Sequence, residues 1–502
     1  MHIEIRVGGA VRRGHVRLAR RLEDVPATVS LVPVPSAVDG AQYRLMALER
    51  ILHRLADDAH LPARGDGGRT GAHPATTHER PDDAVVVDLT ADPGVGWRVA
   101  FDGRAGEPAL LEALGRGRLP LVEVRDRDGD VVVAGRPGSE QPGTAAVAYG
   151  DVLAGLATLL LAALSGGGLA APAADPAAAR DAAAPGAGGR AARPPAVAAV
   201  RKTVGAVARH GYRALYRAPH WRVGWHFVDP GEPDVLDTLA HPRTGWHDLP
   251  DDGHHFYADP FPFVHADRTW LFVEDFDHRV GRGVVSAVEF DDDGPIGTPR
   301  PVLRHDVHLS YPFVLEDRGE VWMVPESSGA GTVELYRARS FPDRWERETV
   351  LLDGLEASDA TLFEHGGVWW MLATVRHGGS FSDTLHAWSA ERLTGPWEPH
   401  PGNPLLVDIA SARPAGRVVD RDGRLLRPVQ DNRTGYGASL LLTEITRLDH
   451  DGFRQDVLSE LGPGPGWPGR RLHTLNRAGR LEAVDGSAMS PRLRRRPRPA
   501  RG

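Results

Sequence analysis

Hydrophobic and polar positions change their period twice along the chain. At the start, His2-Ile3-Glu4-Ile5-Arg6-Val7 alternates with period two and predicts a strand. The runs Ala84 to Leu89 and Leu119 to Val124 predict further strands, and Tyr43 to Leu55 carries a helical pattern. Strands alternating with helices predict an α/β layer domain over residues 1–165. Its last element is the apolar run Val152 to Leu164, 13 residues long. A spanning helix needs about 20 residues, so this run predicts a buried terminal helix and no transmembrane segment.

Residues 166–199 are nearly all Ala, Gly, Pro, Arg and Asp, with too few large apolar groups to offset ordering, and predict a linker. Pro62 to Asp83 predicts a second disordered loop of the same kind. Residues 200–487 differ again, with short strands, frequent turns and most of the tryptophan. Residues 488–502 form a basic, proline-rich tail, read as a solvated end.

Within the third region one pattern recurs. Asp259-Pro260-Phe261-Pro262-Phe263, Tyr311-Pro312-Phe313-Val314, Asp359-Ala360-Thr361-Leu362-Phe363 and Arg413-Pro414-Ala415-Gly416 each open a unit. Each is followed by a second strand (Thr269 to Glu274, Val321 to Glu326, Val368 to Ala373, Arg424 to Val429) and then a third. The openings at 259, 311, 359 and 413 are spaced by 52, 48 and 54 residues. That period is the signature of propeller blades. The leftover segments Trp221 to Asp229 and Gly469 to Val484 predict a fifth blade closed by both ends of the region. The expected fold is therefore multidomain, an N-terminal α/β domain plus an all-β five-bladed β-propeller.

Composition narrows the chemistry. The 502 residues contain no cysteine, which excludes disulfides, thiolate metal sites and cysteine nucleophiles. With 59 basic against 67 acidic residues the net charge is −8, which argues against a nucleic-acid partner. No long apolar core follows Met1, so the expected location is cytoplasmic. Histidines 254, 255, 265, 278, 305 and 308 lack the spacing of a metal motif, and no metal site is assigned to them.

In a propeller the inner strands converge on the axis, so equivalent positions of successive blades face one shared space. The openings place Asp259, His308, Tyr311, Asp359 and Arg413 there, with Tyr257 beside them. The second strands end in Glu274-Asp275, Glu326 and Gln430-Asp431. Taken singly, Asp259 and Asp359 are capable of no more than capping turns. Taken together, at one register, they point to a site. Carboxylates gathered from different blades suit chemistry at a glycosidic bond, where one stays ionised and another holds a proton. An arginine suits a carboxylate or phosphate on the ligand.

The motifs Phe256-Tyr257-Ala258-Asp259-Pro260-Phe261, His308-Leu309-Ser310-Tyr311-Pro312-Phe313 and Pro325-Glu326-Ser327-Ser328 belong to one set. With them go Phe341-Pro342-Asp343-Arg344-Trp345, Ser358-Asp359-Ala360, Ala412 to Gly416 and Gln430-Asp431. Across residues 220–460 the set resembles the N-terminal domain of glucosamine inositolphosphorylceramide transferases, a five-bladed propeller related to glycoside hydrolase family 43. The resemblance implies that Asp259 matches the catalytic base and Asp359 the carboxylate that tunes pKa. Where family 43 places its fourth-blade acid this chain has Arg413, so Glu326 is the expected acid. His308, Tyr311, Arg413, Gln430, Asp431, Tyr257 and Glu274 are expected to hold the ligand. No cofactor is called for, although the resemblance leaves room for an axial cation.

Residues His15 to Leu22, Asp88-Leu89-Thr90 and Trp97 to Gly103 resemble a formyltransferase-like domain. No asparagine precedes Asn403 and His73 is the one histidine in a plausible position, so the catalytic set of that family is broken. The expected function is a carbohydrate-active enzyme making or breaking a glycosidic bond, with glycosyl transfer in glycoconjugate, polysaccharide or natural-product assembly preferred. The alternatives are a glycan-binding or scaffold propeller, or a glycoside hydrolase.

Overall fold

The computed structural model describes residues 1–35, 40–63, 84–91, 96–174, 204–205, 208, 211–464, 467 and 469–492. His73, most of the Pro62 to Asp83 loop, most of the 166–199 linker and most of the basic tail lie outside the described residues.

The N-terminal domain is built on a mixed sheet. Strand β1 (His2–Gly8) buries Ile3, Ile5 and Val7 on one face, as its alternation requires. It lies between β2 (Thr28–Val34) and β3 (Val85–Asp88), parallel to both. Strand β4 (Trp97–Phe101) continues the parallel set. A two-residue strand, β5 (Arg104–Ala105), pairs beside it. The antiparallel β6 (Val122–Arg125) and β7 (Val131–Gly135) then complete the sheet.

Helix α1 (Arg13–Leu22) turns His15, Leu18, Ala19 and Leu22 inward, spaced for one helical face. Helices α2 (Gly40–His53) and α3 (Glu107–Gly115) pack beside α4 (Ala145–Leu164). Helix α4 starts seven residues before the apolar run and has 20 residues, long and apolar enough by length and composition to cross a membrane. Most of it is buried among α1, α2, α3 and β7 in the domain core.

The second domain is the five-bladed propeller. The first three blades begin with the inner strands His255–His265, Ser310–Asp317 and Ala357–His365. Each pairs antiparallel with its successor, and the sheets fan outward. The fourth blade runs from Val419–Arg421 through Arg424–Asp431 and Ser439–Asp449 to Gly452–Leu461. The fifth combines the two ends of the region. Thr474–Ala478 and Leu481–Ser487 form its inner hairpin, and Trp221–Phe227 is laid antiparallel along Leu481–Ser487. This joins residues about 260 apart in sequence and closes the ring, because Trp221 pairs with Ser487 and Phe227 with Leu481.

One backbone device repeats. The register of the first three inner strands shifts between Ala258 and Phe261, Ser310 and Phe313, and Ser358 and Thr361. Within each shift one non-glycine residue is left-handed, Asp259 at φ 49°, Tyr311 at 42° and Asp359 at 56°. Such residues are uncommon and cost on the order of 1–3 kcal/mol each. A bulge of this kind re-aims the side chain out of the strand's ordinary alternation.

The two domains are docked. Arg136, just after β7, exchanges backbone bonds with Val407 (2.8 Å) and Ile409 (2.9 Å), and its guanidinium meets the fully buried Asp408 at 3.1 Å. The side chains of Val407 and Ile409 belong to the core of the N-terminal domain.

Candidate functional site

The acidic end of the propeller axis gathers Asp259, Glu274, Glu326, Asp359, Arg413 and Gln430 from four blades. Asp359, 2% exposed, is the best anchored. Its Oδ2 accepts from Arg413 Nε at 2.7 Å and from Gln430 Nε2 at 2.8 Å. Its own N–H donates to Glu326 Oε2 at 3.2 Å. Burial lifts the Asp359 carboxyl to about 7, with Arg413 pulling it down and Glu326 pushing it up. The Arg413 guanidinium also donates to Ser382 Oγ at 3.2 Å and lies 5.1 Å from the centre of the Tyr436 ring. Gln430 Oε1 is buried and has no donor from the protein among the described residues.

Asp259 sits in a second network. Its Oδ2 accepts the Tyr311 N–H at 3.0 Å and its Oδ1 accepts from Thr474 Oγ1 at 3.0 Å. Its N–H donates to Asp485 Oδ2 at 2.8 Å. Between the two carboxylates lies His473, with Nδ1 2.7 Å from Asp485 and Nε2 3.3 Å from Asp259. Burial alone would drive the imidazole down, but the flanking Asp485 and Asp259 reverse this and hold its pKa above the usual value. Burial raises Asp259 to about 6 against the pull of His473, with Asp485 and Asp359 adding to the rise. Trp221 stacks on His473 with ring centres 4.3 Å apart, and Tyr436 meets both rings edge-on.

Glu274 is pushed well above the ordinary glutamate range, first by burial and then by the neighbouring Asp259, Asp485 and Glu326. His308 Nδ1 accepts the Gly283 N–H at 2.9 Å, which leaves Nε2 toward Glu274 Oε1 at 3.3 Å. His308 is exposed, and Glu326 and Tyr436 are half-buried, so these three side chains border the cluster on the solvent side.

Not every expected residue faces the axis through its side chain. Tyr311 is fully buried, its ring against Phe261 and its hydroxyl on Thr361 Oγ1 at 2.8 Å, and only its N–H reaches Asp259. Tyr257 lies in an apolar cluster with Val223, Leu249 and Val273. Asp431 is turned away by strand alternation and is held by Arg433 at 2.6 Å and Ser439 at 3.4 Å. Its counterpart Asp275 is held in the same way by His255 at 2.6 Å and Ser286 at 2.7 Å.

The sequence reading did not single out His473, Asp485, Thr474, Trp221, Tyr436 or Ser382. Asp485 had a signal, because it lies late on the second strand of its blade, as Glu274 and Glu326 do.

Asp259, His473 and Asp485 bring three donor atoms within 4.8 Å of one another, the spacing a metal ion needs. The donor chemistry fits poorly. Both His473 nitrogens are turned to carboxylates and Asp259 already accepts from Tyr311 and Thr474. The three residues satisfy one another as a hydrogen-bonded chain.

Fold and site together define a five-bladed β-propeller with a buried carboxylate cluster at one end of its axis. Residues 248–483, most of the propeller, match the family described as glucosamine inositolphosphorylceramide transferase 1, N-terminal. The chain is similar to glucosamine inositolphosphorylceramide transferase 1 of Oryza sativa subsp. japonica, 32% identical over 231 residues, which are 44% of this chain and 31% of the rice protein. The Arabidopsis thaliana protein of the same name is 33% identical over 205 residues, 40% of this chain and 27% of the relative. The matched region thus spans less than a third of these relatives. Among solved structures, a family 117 glycoside hydrolase from Zobellia galactanivorans aligns with a TM-score of 0.34 and 13% identity, over 48% of this chain and 77% of that one.

Proposed function

We propose that the acidic end of the propeller binds a sugar or glycoconjugate and makes or breaks a glycosidic bond, with glycosyl transfer the preferred direction. The observation that carries this reading is the pair Asp259 and Asp359. They stand at equivalent bulges, are buried, and are lifted to about 6 and about 7, where one carboxyl ionises before the other. Asp259 is the base or nucleophile. Asp359, clamped by Arg413 and Gln430, tunes the site and orients the ligand. The acid comes from the two glutamates beside them. Burial and acidic neighbours favour the protonated form of Glu274, while Glu326 supports the Asp359 backbone. The half-buried Tyr436 ring supplies an aromatic contact for a sugar, and Gln430 Oε1 is placed to accept from a hydroxyl. The names of the plant relatives favour transfer.

The test is a thermal-shift screen with nucleotide sugars, sugar phosphates and oligosaccharides on wild type and Asp259→Asn, followed by product analysis. Ligand binding raises the melting temperature by mass action. An activated sugar that stabilises wild type, is weakened by Asp259→Asn and yields a transfer product supports the reading. Stabilisation by oligosaccharides with a hydrolytic product moves it to hydrolysis. Binding without turnover of any bound sugar removes catalysis and leaves a glycan-binding propeller.

A further inference from the structure

The end of the propeller opposite the acidic cluster holds a second feature. A cavity of about 380 Å³ opens between the fourth and fifth blades, against the short helix Val235–Thr238. Its position on the axis follows from the strands that line it. Thr474, at the start of its inner strand, contacts Asp259, while Asn476 to Gly479, farther along, line the cavity. Asp485 serves the acidic end and Glu482, three residues earlier on the returning strand, lines the cavity.

Between the two ends the axis is plugged. Arg417 lies over the Phe313 and Phe261 rings at 4.8 and 5.5 Å and donates through Nη2 to the Val314 carbonyl. The cavity is therefore separate from the carboxylate cluster.

Three carboxylates and three arginines line it, and they are not evenly paired. Asp234 is consumed by Arg421 at 2.6 Å and Arg477 at 3.0 Å. Asp237 is shared between Arg421 at 3.5 Å and the Asp234 N–H at 3.1 Å. Glu482 is tied to His226 at 2.7 Å and to the Val235 N–H at 3.2 Å. Every lining carboxylate is thus occupied. Arg417 lines the cavity with no carboxylate partner among the described residues, and its other side-chain N–H groups meet no protein acceptor there. Arg417 is half-buried, and an oxyanion in the cavity offers its guanidinium the counter-charge that no carboxylate supplies. Leu236, Val419, Leu475 and Ala478 give the remainder of a ligand an apolar wall.

We infer that this distal cavity is a binding site for a small organic oxyanion, a phosphate ester or carboxylate whose charged group pairs with Arg417. The volume fits a ligand of about monosaccharide size.

The experiment titrates full-length protein with inorganic phosphate, a hexose phosphate and glucuronate, reading heat and melting temperature. One of the three binds wild type, and Arg417→Gln weakens it about tenfold or more. Ala478→Glu, which brings a competing carboxylate into the cavity without touching the Arg417 stack, weakens it likewise and covers the case in which Arg417→Gln fails to fold. Asp259→Asn, at the other end, leaves this binding unchanged, which separates it from any ligand of the acidic cluster. Preference for hexose phosphate over glucuronate names the phosphate ester, and the reverse names the carboxylate. No binding by any probe, or binding indifferent to both cavity variants, overturns the inference.

Discussion

Arg413 Nε donates to Asp359 Oδ2 at 2.7 Å, inside a site where both side chains are almost fully buried. The arginine neutralises a carboxylate brought in by the preceding blade. The partners depend on each other, because an unpaired buried charge costs more than the pair gains. Arg413→Met is expected to destabilise the protein by about 3–5 kcal/mol. It should also move the Asp359 titration above about 7, since Arg413 is what holds that carboxyl down. Urea unfolding and the pH profile of ligand binding check the two parts.

His473 controls Asp259 from the opposite side. The imidazole lowers the Asp259 carboxyl, so its removal raises a value already near 6. His473→Gln should shift the acid limb of any Asp259-dependent activity upward by about one pH unit. A profile that stays in place would show that Asp259 titration does not govern the reaction.

Asp151 supplies a stability prediction. Burial lifts its carboxyl to about 7, with Asp57, Asp383 and Glu140 adding to the rise and Ser139 opposing it. Between an unfolded value of about 3.9 and this folded one, the folded protein binds the extra proton. Stability from this group is therefore present at low pH and is lost as pH rises toward 7. Asp151→Asn should flatten the fall in melting temperature over that window, with the benefit largest above pH 7. Equal slopes in variant and wild type would refute it.

Asp408 holds the two domains together. Fully buried, it accepts from Arg136 at 3.1 Å, the Ala173 N–H at 2.8 Å and Ser411 at 2.6 Å. Asp408→Ala leaves the Arg136 charge buried and unpaired, at a cost of about 3–5 kcal/mol. Calorimetry should show the single unfolding transition split into two, and protease should reach the segment after β7.

Gly416 lies at a close approach between the fourth and fifth blades. It has φ 146°, and a Cβ there would lie 2.1 Å from the Leu475 carbonyl oxygen. Gly416→Ala is expected to cost at least about 2 kcal/mol, read by chemical denaturation. The strained backbone and the backbone neighbour both forbid easy relief.

Much of this molecule was legible before any coordinates. The period near 50 residues exposed the blades, and the openings pointed to Asp259, Asp359 and Arg413 because a propeller brings equivalent positions to one axis. Gln430 and Glu326 followed from the ends of the second strands. Tyr257 and Asp431 illustrate the limit. Neighbours on one strand point to opposite faces, and a bulge shifts that parity, so adjacency to a site residue says nothing about direction. Tyr311 stands at an equivalent position and yet contributes its N–H to Asp259, while its ring fills the core.

His473, Asp485 and Trp221 lie in the blade assembled from both ends of the region, where no repeat opening announces them. Local pattern, through side-chain period and repeat spacing, determined the strands, the blade number and the carboxylates that converge. Ring closure alone brought Trp221 onto His473, and burial together with the charges gathered around them set the upward shift of the Asp259, Glu274 and Asp359 carboxyls. Those outcomes depend on distances between segments far apart in the chain and on the loss of water around them, and neither quantity is written in the order of residues.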